Sequence, residues 1–138
     1  MARSDAGLEL ILIEDSQNDI ELFLNVVEWI DMGDQVRVFP DGREALEYLL
    51  GTGKFEGNAL DYPAVIFLDL KMPLMDGIEV LKALKENPRT VTHPVVVFTS
   101  SNQDIDVVKS YQLGANSYVV KPVQFEKFAE TIRELINY

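Results

Sequence analysis

Five short groups of residues carry the chemistry of this chain, and most of them follow an apolar run. Glu14 and Asp15 come after LELILI, and Asp69 comes directly after Val65, Ile66, Phe67 and Leu68. Thr99, Ser100 and Ser101 follow PVVVF, and Lys121 with Pro122 follows Ser117 to Val120. The block Leu70 to Gly77 completes the set. A carboxylate at the end of a buried strand must be paired, solvated or used, because an isolated buried charge is costly. Three carboxylates brought together repel, and without a cation some of them titrate high. A hard divalent cation such as Mg²⁺ resolves the conflict and leaves coordination places for a phosphoryl oxygen. An ammonium and a hydroxyl beside it are suited to hold that oxygen. An aspartate so placed is a nucleophile that forms an aspartyl phosphate. In-line transfer to it needs positioning and charge neutralisation above all. Each group also has a plainer reading: Glu14-Asp15 as acids at a helix start, Asp69 as a turn cap, Thr99 as a strand-end hydroxyl, Lys121 as a surface lysine. Their joint occurrence after four apolar runs argues for a site.

The elements that must position these residues alternate regularly. Apolar runs at Leu8–Ile13, Gln35–Phe39, Ala64–Leu68, Pro94–Phe98 and Ser117–Val120 have the length and composition of strands. Between them lie helical stripes: Ile20, Phe23, Leu24, Val27 and Ile30; Ala45, Leu46, Leu49 and Leu50; Ile78, Leu81 and Leu84; Ile105, Val108 and Tyr111. Phe125, Phe128, Ala129, Ile132, Leu135 and Ile136 form the last stripe. Ser16 and Asn18 are candidate caps of the first helix, and Gly114 stands where a left-handed C-cap belongs. Five strands alternating with five helices predict an α/β domain with a parallel sheet covered on both faces. Ligands of such sheets bind beyond the carboxyl ends of the strands. That edge is where the chemistry-bearing residues fall.

Composition narrows the function classes. The 138 residues suit one domain, 1–138, with residues 1–7 as a short polar tail. There is no cysteine, which excludes disulfides and thiolate metal sites. A net charge of −11 with no basic patch disfavours nucleic acid. The apolar runs are too short to span a bilayer, and Met1–Gly7 lacks a signal core, so a cytoplasmic protein is expected.

The stretches LILIEDSQND, VIFLDLKMPLMDGIEVL, PVVVFTSS and GANSYVVKP resemble a response-regulator receiver domain of the chemotaxis-regulator type, over Leu8 to Tyr138. Asp69 precedes Thr99 by 30 residues, and Thr99 precedes Lys121 by 22, which also fits that family. The resemblance implies a flavodoxin-like sheet of strand order 2-1-3-4-5. It implies that Asp69 is the phosphoacceptor, and that Asp15, Glu14, Asp69 and the backbone carbonyl of Lys71 hold Mg²⁺ or Mn²⁺. Thr99 and Lys121 then bind the phosphoryl group, Tyr118 is the aromatic switch, and the bond before Pro122 is cis. The donor would be a sensor histidine kinase or a histidine phosphotransfer protein, and the protein a phosphoacceptor regulator in place of a true enzyme. TSSNQD and SYQLGANSYVVKPVQFEKF are similar to small single-domain receivers that partner bacteriophytochrome-type kinases. With the chain stopping at Tyr138, output is expected through protein contacts, to an unknown downstream protein or within a homodimer built on the helix-four/strand-five/helix-five face. Phe125, Phe128 and Tyr138 are candidates there, although helical spacing favours the core for the two phenylalanines.

Two features depart from the family pattern, namely a long Gly51–Asp61 loop and a lysine at position 71, where charge near an attacking water would modulate dephosphorylation. The single histidine, His93, precedes strand four on the edge away from the site and is read as a loop residue. Rival classes fit less well. A haloacid-dehalogenase-type phosphatase would need a second Asp two residues after the nucleophile, where Lys71 stands. A nucleotide binder would meet the acidic loop EDSQND. A degenerate receiver working without phosphorylation remains the third alternative, although no site residue is missing.

Overall fold

A computed structural model describes residues 8–57, 63–73, 75–121 and 124–136, the side chain of Ile136 excepted. Pro122, Tyr138 and the 58–61 part of the Gly51–Asp61 loop therefore lie outside the described residues. The strands are β1 (Glu9–Ile13), β2 (Val36–Phe39), β3 (Ala64–Leu68), β4 (Val95–Thr99) and β5 (Ser117–Val120). The helices are α1 (Gln17–Trp29), α2 (Gly42–Leu50), α3 (Gly77–Glu86), α4 (Asp104–Gln112) and α5 (Phe125–Ile136). The strands form one parallel sheet in the order β2-β1-β3-β4-β5, as expected.

Alternation along the strands divides the core into two layers. Ile11, Ile13, Ile66, Leu68, Val95 and Val97 face α2 and α3, meeting Ala45, Leu46, Leu49, Val80, Leu81 and Leu84. Leu10, Leu12, Val65, Phe67, Val96 and Phe98 face α1 and α5. There Phe23 meets Phe67 edge-on at 4.8 Å, and Phe128 stacks on Phe98 at 4.7 Å. On α1 the buried positions are Ile20, Phe23, Val26 and Val27. Leu24, expected in the stripe, sits at its rim and is exposed.

Helix α4 departs from expectation. Its stripe of Ile105, Val108 and Tyr111 faces outward, with exposures of 70, 54 and 49 %, and Ser110 is its buried residue. The physical reason is its place in the sheet. Helix α4 lies over β5, a four-residue edge strand that is itself only partly buried, so little apolar surface is there to receive it. Phe128 is 1 % exposed and belongs to the core, so it contributes no surface contact. Phe125 is partly buried and meets Trp29 at 5.8 Å.

Local signals bound the helices, with Ser16 and Gly114 at the positions expected of them. Ser16 caps α1, its hydroxyl accepting from the Asp19 amide at 3.4 Å, and Asp76 caps α3 through the Ile78 amide at 3.0 Å. Gly114 follows α4 with φ +107°. The described part of the long loop is anchored by Phe55, whose ring stands 5.2 Å from that of Tyr48.

Candidate functional site

The sheet ladder continues past its strands into the residues that carry chemistry. The amide of Glu14 donates to the Phe39 carbonyl at 3.0 Å, and that of Asp69 donates to Ile13 at 3.1 Å. The amide of Lys121 donates to Thr99 at 2.8 Å. The strand ends are level, Ile13 standing opposite Leu68 and Thr99 opposite Val120. Residues far apart in sequence are thereby fixed on one edge by backbone hydrogen bonds, before any side chain is considered.

One carboxylate oxygen each from Glu14, Asp15 and Asp69 can be chosen so that all lie within 4.8 Å of one another. Glu14 is fully buried, Asp69 is 5 % exposed, and Asp15 is open to solvent. Burial pushes the Glu14 carboxyl up to about 7, against the hydrogen bond from Lys121 and with added repulsion from Asp69. This is the conflict expected of crowded acids. The donor set is entirely hard oxygen, one part of it buried and destabilised as a charge, and it fits a hard divalent cation.

The Lys121 ammonium sits inside the cluster. It donates to Asp19 at 2.7 Å, to Glu14 at 2.8 Å and more distantly to Asp69 at 3.4 Å. It also lies 4.9 Å from the centre of the Phe98 ring. Burial pulls its pKa down, but the bonds to Asp19 and Glu14 and the charge of Asp69 leave it above the ordinary lysine value. Asp69 receives a second bond, from the Lys71 amide to Oδ1 at 3.1 Å, which turns the β3–α3 loop around the carboxylate.

Gly77 closes that loop for a steric reason. A Cβ placed there would lie 2.3 Å from the Asp69 carbonyl oxygen and 2.5 Å from the Leu70 Cα. The final glycine of the block is therefore what lets α3 begin against the end of β3.

Thr99 is completely buried, its hydroxyl accepting from the Ser101 amide at 3.4 Å. The Ser101 hydroxyl bonds the Asp106 carboxylate on α4, and the Tyr118 hydroxyl donates to the Ser101 carbonyl at 2.9 Å. The Lys71 side chain, largely exposed, reaches Asp106 at 3.6 Å. Thr99, Tyr118 and the β4–α4 loop thus form one network beside the acids. His93 lies between α3 and β4, its carbonyl accepting from Lys85 at 2.9 Å, consistent with a loop role.

Of the residues singled out in sequence, Glu14, Asp15, Asp69 and Lys121 are brought together, with Thr99 at the end of the neighbouring strand. One participant was missed, Asp19. Its signal was available: it is the third acid of EDSQND, and the Ser16 cap places it in the first turn of α1.

Known proteins are similar to this chain in sequence and fold. Residues 10–133 match the family described as the response regulator receiver domain. The chain is 37 % identical over 112 residues to response regulator Rcp1 of Synechocystis sp., spanning 81 % of this chain and 75 % of that one. A solved structure described as the Mn(2+)-bound form of Rcp1 superposes with a TM-score of 0.77 at 31 % identity, covering 95 % of this chain and 92 % of that one. The bacteriophytochrome response regulator RtBRR superposes with a TM-score of 0.79 at 44 % identity, covering 92 % and 76 %. The phosphorylated cyanobacterial phytochrome response regulator RcpA gives 0.79 at 31 % identity, covering 92 % and 89 %. Sequence, sheet order and this convergence of side chains agree: the chain belongs to the response regulator receiver family of two-component signalling, with phytochrome response regulators among its homologues.

Proposed function

We propose that the protein is a phosphoacceptor in which Asp69 receives a phosphoryl group from the phosphohistidine of a sensor histidine kinase or of a histidine phosphotransfer protein. The observation that carries the reading is the placement of Asp69, rigid at the end of the central strand, with Lys121 and two further carboxylates around it. An Asp69 oxygen attacks phosphorus in line and a P–O bond forms. The P–N bond breaks, and its electron pair stays on the donor imidazole, which takes a proton from solvent. Glu14, Asp15, Asp69 and the Lys71 carbonyl would hold Mg²⁺ or Mn²⁺, which when bound supplies neutralising charge for the phosphoryl oxygens. Lys121 donates to a phosphoryl oxygen and Thr99 turns its hydroxyl inward to another. Tyr118 follows into the vacated space, which converts phosphorylation into a change of surface. Beyond phosphorylating and dephosphorylating itself, the protein catalyses nothing.

The likeness to bacteriophytochrome and cyanobacterial phytochrome response regulators supports a phytochrome-type kinase as donor. The outward stripe of Ile105, Val108 and Tyr111, next to exposed Val120, supports the α4/β5/α5 face as the contact surface for a second copy.

Incubation with acetyl phosphate and Mg²⁺ is expected to add one phosphoryl group by intact mass, and Asp69→Asn to abolish it. An unmodified wild-type protein, or equal labelling of the variant, would overturn the assignment.

A further inference from the structure

Asp19 has no part in the scheme above, yet it makes the shortest contact to the ammonium on which that scheme depends. An ammonium has three N–H donors, and here all three are engaged, at 2.7 Å to Asp19, 2.8 Å to Glu14 and 3.4 Å to Asp69. The weakest of the three goes to the residue that would carry the phosphoryl group. The lysine side chain is 10 % exposed and that of Asp19 is 28 %, so the pair is partly withdrawn from screening by solvent.

Asp19 is also firmly held. Its amide is capped by Ser16, and α1 is fastened to the sheet by Phe23, Val26 and Val27, all completely buried. Three other acids, Glu14, Asp15 and Asp69, form the cluster suited to a cation, and Asp19 is not one of them. Glu14 would serve a cation held there, whereas Asp19 would remain a partner of Lys121.

We propose that Asp19 is a positioning residue that holds the Lys121 ammonium toward α1, 2.7 Å from its own carboxylate and 3.4 Å from that of Asp69, so that an incoming phosphoryl group must win the lysine from it. The proposal rests on the reading of Asp69 as phosphoacceptor. Its physical content is a competition between two anions for one cation. A phosphoryl group gains the charge-assisted bond to Lys121 only as the bond to Asp19 is given up. The Asp19 charge, left nearby, then repels the added negative charge. The carboxylate thereby weakens the phosphorylated state and shortens its life, with no covalent part of its own.

The test uses beryllofluoride, a tetrahedral mimic of the phosphoryl group, titrated with Mg²⁺ held saturating and followed by ¹⁹F NMR. Asp19→Asn keeps the shape and removes the charge. It is expected to bind beryllofluoride about three- to five-fold tighter, the scale of one partly exposed ion pair. It is also expected to lose an acetyl-phosphate-derived phosphoryl group more slowly by a similar factor. Asp19→Glu restores the charge and should return both values toward wild type. Asp19→Ser takes the place of the asparagine variant if the latter folds poorly by circular dichroism. Unchanged or weaker binding in the charge-removing variant would overturn the proposal, since a purely structural aspartate can only weaken the site when lost. A wild-type protein as silent toward beryllofluoride as Asp69→Asn would overturn the acceptor reading, and this one with it.

Discussion

Asp69, Lys121 and Gly77 answer different demands at the scale of single residues. Asp69 is a carboxylate almost out of solvent, and its cost is met by the Lys71 amide and the Lys121 ammonium. Gly77 answers a demand of space, because its missing side chain leaves room for the Asp69 carbonyl. That obstacle is backbone, not the end of a flexible side chain, so it cannot be relieved by a rotamer change. Gly77→Ala is therefore expected to destabilise the protein by about 2 to 3 kcal/mol, the upper range for forced overpacking. Urea unfolding measures it, and a loss below about 0.5 kcal/mol would show that the loop gives way easily. Because the displaced atoms include those of Asp69, its phosphorylation by acetyl phosphate should slow as well.

The contrast between α5 and α4 operates at the scale of elements. Helix α5 buries Phe128, Ala129 and Ile132 against the sheet, whereas α4 turns Ile105, Val108 and Tyr111 outward. Phe128→Ala is expected to cost about 3 to 5 kcal/mol, as other core phenylalanines do. Ile105→Lys should change stability by no more than about 0.5 kcal/mol in the monomer. Its effect belongs to association: sedimentation with beryllofluoride and Mg²⁺ should show wild type shifting toward dimer and Ile105→Lys remaining monomeric. A wild-type protein that stays monomeric under those conditions would remove the dimer from the proposal. The stripe on α4 was visible in the sequence, but periodicity reports a face without saying which way it points. The direction was settled by the narrowness of β5, a property of the sheet edge.

At the scale of the whole molecule, pH acts through groups spread over both edges of the sheet. On the edge away from the site, burial and then the nearby Lys85 charge hold the His93 imidazole below its ordinary value of 6.5. Its unfolded form therefore binds a proton more readily than its folded form. Stability from this residue is present above about pH 6.5 and is lost as pH falls toward the lower folded value. Thermal unfolding followed from pH 7.5 to 5.5 should show His93→Asn losing less stability than wild type. Equal slopes for the two proteins would mean that the imidazole is not desolvated. Among the described residues no helix is long and apolar enough to cross a membrane. The chain carries a net charge of −11, and at the site edge three acids, Glu14, Asp19 and Asp69, meet one lysine, with Asp15 beside Glu14 and Asp69.

The alternation of apolar runs and helical stripes, the two-sided core and the membership of Glu14, Asp15, Asp69, Thr99 and Lys121 in one site were all legible in the sequence. The reason is physical: a parallel α/β sheet places the residue after each strand on the same edge, so one-dimensional position already implies three-dimensional neighbourhood. The strand order rested on resemblance, because periodicity is blind to which strands pair. Tertiary structure alone decided which partners Lys121 takes across 107 residues to Glu14 and 102 to Asp19. It also decided how far Lys121 stands from Asp69, and that α4 turns its apolar stripe outward. Those outcomes depend on side-chain reach and on the width of the sheet beneath each helix, and neither quantity is written in the spacing of residues along a chain.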